Sequence, residues 1–171
     1  MKTLIVYYSM SGNCEHVADI LAEKLGADTL RVEPEKAFPD SGLKKFLYGG
    51  KSAMMGEMPP LVPYETDLAA YDRVIIGFPV WASRPAPPMR TFIRDNLDAL
   101  KSKRLAVFAC QSGNGAKKAI AKLEAQLDIE AFDAELILID PKARPNGAND
   151  TLIEGFCRLL EATESNDEAN G

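Results

Sequence analysis

The sequence predicts an α/β domain, a parallel sheet with helices on both faces, and three observations predict it. Short apolar runs alternate with helical stripes along the chain. The runs at 4–8, 73–78 and 105–109 are almost continuously apolar, as in strands buried on both faces. Each leads through a small or polar loop into a helical pattern, the rhythm of right-handed β-α-β crossovers.

Taken in order, the predicted strands are 4–8, 29–32, 73–78, 105–109 and 136–139. Between and after them, residues three and four apart form apolar helical faces. The first face is Val17, Ile20, Leu21 and Leu25, and the second is Met89, Phe92, Ile93 and Leu97. A third is Ile120, Leu123 and Leu127, extended by Ala116 and Ala119; the fourth is Leu152, Phe156, Leu159 and Leu160. One excursion breaks the rhythm at about 34–64, with prolines at 34, 39, 59, 60 and 63. Residues 1–162 read as a single domain. From 163 to 171 acidic residues without an apolar stripe or a basic partner predict a frayed tail.

The chain has 171 residues, 46% hydrophobic and 26% charged, the composition of a globular domain with a sizeable core. A net charge of −5 lacks the basic balance that a general nucleic-acid binder needs. No apolar run is long enough for a membrane helix, and the N-terminal run lacks a signal-peptide pattern. A cytoplasmic location is the resulting expectation. Three unevenly spaced cysteines, Cys14, Cys110 and Cys157, read as reduced thiols and not as a disulfide framework.

Three loops leave the carboxyl ends of predicted strands, the edge at which open parallel sheets bind ligands. The first is Ser9-Met10-Ser11-Gly12-Asn13-Cys14. A loop of Ser, Gly and Asn opening a helix turns unpaired N–H groups toward an anion, with hydroxyls as extra donors. It holds no Lys or Arg, so the expected site works through neutral dipoles and suits a phosphate monoester. The second, residues 77–84, carries the chain's one Trp in Pro79-Val80-Trp81-Ala82, where an indole can lie against a planar ligand. The third contains Cys110-Gln111-Ser112-Gly113-Asn114-Gly115, small enough for its backbone to reach a heterocycle edge.

Other chemistries lack a required residue. A phosphatase-type loop needs an Arg six residues after its Cys, but Ile20 follows Cys14 and Ala116 follows Cys110. His16 is the sole His, which removes a His-based triad or a multi-His metal site. Gly50-Lys51-Ser52 resembles the end of a Walker A loop, but the required upstream Gly is Lys45. The third glycine of a dinucleotide fingerprint after Gly113 is Lys118. Ser112 lacks the glycine two residues before it that a nucleophile elbow requires.

Taken together, Ser9-Met10-Ser11-Gly12-Asn13, Gly77-Phe78-Pro79-Val80-Trp81 and Gln111-Ser112-Gly113 resemble the three flavin loops of the flavodoxin family, in order and spacing. The resemblance implies a three-layer sandwich with a five-stranded parallel sheet in order 2-1-3-4-5. It also implies non-covalent FMN at the sheet's carboxyl edge. Carried over by position, Ser9, Met10, Ser11, Gly12, Asn13 and Cys14 hold the phosphate, Cys14 standing where Thr is usual. Pro79, Val80, Trp81 and Ala82 cover one flavin face, and Gln111, Ser112 and Gly113 form the third contact. The third loop lacks the family's aromatic and acidic residues. The second face is left to Tyr48 or to no aromatic, and charge near the ring to Glu57, Glu65 or Asp67.

Two functions follow from the resemblance. The first is an electron carrier working with a redox partner protein. The second is an NAD(P)H-dependent FMN or quinone reductase, in which Arg84 and Lys51 meet the phosphates of a nicotinamide cofactor. The sequence assigns no catalytic residue, no metal and no oligomeric state.

Overall fold

The computed structural model describes residues 1–39 and 50–170, with side chains through Ser165. Five parallel strands form the sheet: β1 (Thr3–Tyr7), β2 (Asp28–Arg31), β3 (Arg73–Trp81), β5 (Arg104–Gln111) and β6 (Glu135–Ile139). Their order is β2-β1-β3-β5-β6, the expected 2-1-3-4-5 arrangement. A sixth, two-residue strand, β4 (Arg84–Pro85), runs antiparallel to the end of β3. Sequence reasoning had no access to it, because two residues ending in Pro carry no strand periodicity.

The helices are α1 (Asn13–Leu25), α2 (Pro87–Asp95), α3 (Leu97–Lys101), α4 (Ala116–Leu127) and α5 (Gly147–Asn170). A 3-10 turn over Leu68–Ala70 precedes β3. Strand alternation sorts the core into two layers. Leu4, Val6, Val74, Ile76, Leu105 and Val107 pack on one face with Met89, Phe92, Ile93, Ile120 and Leu123 of α2 and α4. Ile5, Ile75, Ala106, Phe108, Leu136 and Leu138 pack on the other with Val17 and Leu21 of α1 and Phe156 and Leu160 of α5. Each such aliphatic or aromatic side chain contributes about 1.5–3 kcal/mol on burial. Gly77 is required in β3, because a Cβ there would lie 2.1 Å from the Phe108 ring.

Two helical expectations change. The fourth face is turned by one residue. Ile153, Phe156, Cys157 and Leu160 are buried, whereas Leu152 and Leu159 are exposed. The expected tail is anchored at its start. Helix α5 runs through Asn170, and Arg73, buried at the first position of β3, reaches it. Its Nη1 donates to Glu164 at 2.8 Å, and its Nη2 to Leu160 O and Thr163 Oγ1, both at 2.9 Å. The acidic residue read as unpartnered thus neutralises a buried guanidinium 91 positions away.

The excursion is closed at its base. Glu35 N–H donates to Pro60 O at 2.9 Å and Val62 N–H to Glu33 O at 2.8 Å, around a Pro34–Leu61 antiparallel bridge. Residues 50–54 are helical. No helix among the described residues is long and apolar enough to cross a membrane.

Candidate functional site

The first loop is built by contacts from three strands' ends. Tyr8 N–H donates to Gly77 O at 3.1 Å, which keeps the chain on the sheet one residue past β1. The buried Ser9 Oγ then accepts Glu15 N–H at 3.2 Å, satisfying one of the orphan amides of α1's first turn. Arg31, at the end of β2, donates to Ser9 O at 3.0 Å. Gly12 caps α1 in the left-handed region, φ 83°.

A cation reaches this loop from far along the chain. Lys142, just after β6, lies over Gly12: a Cβ on that glycine would come within 2.8 Å of the Lys142 Nζ. Lys142 N–H also donates to Asn13 Oδ1 at 3.0 Å, across a separation of 129 residues. The loop itself carries neutral dipoles, as expected, and this cation stands beside it. The amides of α1 are joined by an ammonium that no local pattern announced.

The second loop is largely strand. β3 continues through Pro79 and Val80 to Trp81, and Ala82 and Ser83 make the turn into β4. Both turn residues have positive φ, 48° and 56°, the handedness that suits a two-residue hairpin. Without glycine this conformation costs about 1–2 kcal/mol per residue. Strain of this kind persists where surroundings over-determine it. Trp81, half-buried, meets Tyr8 edge-on at 5.9 Å and Phe38 at 5.1 Å, which fixes the tilt of its ring.

In the third loop Gln111 Oε1 accepts Ala116 N–H at 2.9 Å and so caps α4. Ser112 Oγ donates to Asp140 Oδ1 at 2.8 Å, and Asn13 Nδ2 lies 3.5 Å from the same oxygen. Asp140 follows β6, and its N–H donates to Gln111 O at 2.9 Å. Sequence reasoning missed Asp140 and Lys142. The available signal was position: both follow the last strand at the same sheet edge as the other three loops.

These loops enclose one cavity of about 370 Å³. Ser9, Met10, Ser11, Asn13 and Cys14 line it from the first loop, Pro79, Val80, Trp81 and Ala82 from the hairpin, and Gln111, Ser112 and Gly113 from the third. Cys110, Asn114, Gly50 and Asp140 complete the wall. Of the predicted residues Gly12 alone stays out of the lining, acting as the helix cap. Tyr48 lies outside the described residues. Glu57, Glu65 and Asp67 do not reach the cavity. Glu57 accepts the Ser52 hydroxyl, and Asp67 caps the 3-10 turn by accepting Ala69 N–H at 3.0 Å. Among the described residues, Asp140 is the carboxylate in the lining. Lys51 is exposed and Arg84 lines a different cavity, so neither joins the site.

Cys14 and Cys110 meet at the cavity floor, both buried. Burial first, and then the hydrogen bond with Cys110, holds the Cys14 thiol well above its ordinary 9.0. A protonated, buried thiol fills space and is not a nucleophile. No cluster of three or more His, Cys, Asp or Glu among the described residues is placed to hold a metal ion.

The cavity thus combines a helix start and hydroxyls with an indole wall and one carboxylate, and the Lys142 ammonium lies beside it over Gly12. Comparison with known proteins identifies the family. A flavoprotein from Lactobacillus acidophilus NCFM, solved in complex with FMN, is similar at 26% identity and TM-score 0.65, over 82% of this chain and 94% of that one. Oxidised Flavodoxin 2 from Bacillus cereus shares the fold at 21% identity and TM-score 0.59, over 95% and 99% of the two chains. The family model described as Flavodoxin matches residues 2–144, a span that contains β1 through β6 and every loop of the cavity. The chain belongs to the flavodoxin family.

Proposed function

We propose that the cavity holds FMN non-covalently and that the chain is an electron carrier. The observation that carries this reading is the convergence of the Ser9–Cys14 loop, Trp81 and the Gln111–Gly113 loop on one cavity at the carboxyl edge of the sheet. The donor set fits the group. The first-turn amides of α1, the Ser11 hydroxyl and the Lys142 ammonium suit a phosphate dianion. The flat indole of Trp81 and the apolar Pro79, Val80 and Ala82 suit a planar ring.

FMN supplies one- and two-electron redox chemistry at its ring when bound; the protein sets position and electrostatics. Trp81, held by Tyr8 and Phe38, presents apolar surface that disfavours extra negative charge on the ring. Asp140 adds a carboxylate of the same effect, oriented by the Ser112 hydroxyl and partly offset by the exposed Arg144 at 3.7 Å. Both lower the reduction potential, as a carrier of low-potential electrons requires.

The electron donor in this reading is a partner reductase, and the acceptor another protein. Stopped-flow mixing of the FMN-loaded protein with NADH and NADPH tests it. Slow or no bleaching, with rapid reduction once a flavodoxin reductase is added, is the expected result. Rapid direct bleaching by either nucleotide would replace the carrier with an NAD(P)H-dependent reductase.

A further inference from the structure

A second cavity, of about 310 Å³, lies between β4, α2 and α4. Three cations line it: Arg84 of β4, Arg90 of α2 and Lys122 of α4. None of the three makes an ion pair with a carboxylate among the described residues, although Arg31, Arg73, Arg94, Arg104 and Arg144 all do. Arg90 Nη1 is buried and has no hydrogen-bond partner among the described residues. Gly56, at φ +72°, sits against this guanidinium; a Cβ there would come within 3.4 Å of Nη1.

We infer that this cavity is a second binding site and takes the phosphate group of a small molecule. Like charges gathered around a concave space in an acidic protein are costly unless an anion offsets them. Two guanidinium forks match phosphate oxygens bidentately, and an ammonium adds a point charge. The volume falls within the range of small-molecule pockets, room for a phosphate and the group that carries it. Burial, and then the Arg84 charge, holds Arg90 below its ordinary value. Lys122 is lowered by burial and then by Arg84, Lys118 and Arg90. No carboxylate opposes either shift.

The site is joined to the first cavity through the hairpin. Arg84 pairs with Trp81 across β3 and β4, and Lys122 Nζ donates to Ser83 O at 3.0 Å. A phosphate held by Arg84 and Lys122 therefore rests on the turn whose other side carries Trp81. The inference does not depend on FMN or on the electron-carrier reading.

The test is an NMR titration with sodium pyrophosphate at constant ionic strength, following the Nε–Hε resonances of Arg84 and Arg90. It is run on the protein as purified and after FMN saturation. Saturable shifts at both arginines are expected in each. In the Arg84→Gln/Lys122→Gln double variant the affinity should fall about tenfold or more, with FMN content unchanged. Parallel titrations with NADPH and NADH identify the source of the phosphate. Tighter binding of NADPH than of NADH or pyrophosphate assigns a 2′-phosphate; equal, tight binding of both dinucleotides assigns their diphosphate. Pyrophosphate binding as tightly as either assigns a free inorganic anion. Absence of saturable shifts at Arg84 and Arg90, or an affinity unaltered in the double variant, would overturn the inference.

Discussion

Asp140 accepts the Ser112 hydroxyl at 2.8 Å, a contact that ties the loop after β6 to the loop after β5. The same carboxylate oxygen lies 3.5 Å from Asn13 Nδ2, so two cavity loops meet at one charge.

In the electron-carrier reading this charge tunes the flavin. Replacing Asp140→Asn keeps an acceptor for Ser112, and Asn tolerates the φ of 42° found at that position. It removes one negative charge from the cavity wall, so the reduction potential of bound FMN should rise by tens of millivolts. Equilibrium redox titration measures this. An unchanged or lower potential would remove Asp140 from that role.

Lys142 gives a second prediction. Its ammonium lies over Gly12, beside the amides of α1, but it is exposed to solvent. Lys142→Met should therefore weaken FMN by a modest factor, about three- to tenfold, and leave riboflavin affinity nearly unaltered. Ser11→Ala should show the same selectivity. Isothermal titration with both flavins distinguishes this from a general loss of the cavity, which would weaken the two equally.

The Arg73–Glu164 pair predicts the effect of shortening the chain. Arg73 is 1% exposed and Glu164 31%, so the penalty of removing Glu164 is only partly screened. A chain ending at Ala162, with its new terminal carboxylate amidated, should lose about 1–3 kcal/mol by urea unfolding, since the buried guanidinium then keeps no anionic partner. Adding Arg73→Met to the shortened chain should recover part of the loss. A loss in the double variant equal to the sum of the two single losses would show that the pair does not couple.

Alkaline pH supplies a fourth prediction. Burial is the largest cause raising Cys14 and Cys157 above 9.0, and Tyr7 and Tyr8 above 10.0. On raising the pH, the unfolded chain releases these protons before the folded one does. The stability they contribute is complete below about pH 9 and is lost as pH rises beyond it, by up to about 1.4 kcal/mol per pH unit for each group. Denaturant midpoints measured from pH 7 to 11 should fall on that side, and a disulfide reagent at pH 8 should leave Cys14 unmodified until the chain unfolds. Rapid labelling of native Cys14 would contradict its burial.

The parallel strands were legible because burial on both faces writes continuous apolar runs such as those of β1 and β3. The first and third loops were legible because Ser, Gly and Asn at a helix start have a local backbone reason to be there. What stayed hidden is long-range or too short to show a period. Lys142 and Asp140 act on residues more than a hundred positions earlier. Glu164 finds its cation only once β3 and α5 are adjacent. The Leu152 and Leu159 face fitted a helical spacing, but Ile153 and Cys157 offered a competing one, and packing against α1 and β6 decided it. Ala82 and Ser83 concealed a tight turn because neither is a residue that favours positive φ.

The most direct test of FMN binding in the cavity is titration of the flavin-free protein with FMN, following flavin and Trp81 fluorescence together. Trp81 is the chain's one Trp, and it lines the cavity. Binding of one FMN per chain, with both emissions quenched and reaching saturation together, is the predicted result. A protein that takes up no FMN, or that binds it with Trp81 emission unaltered, would contradict a flavin seated against this indole.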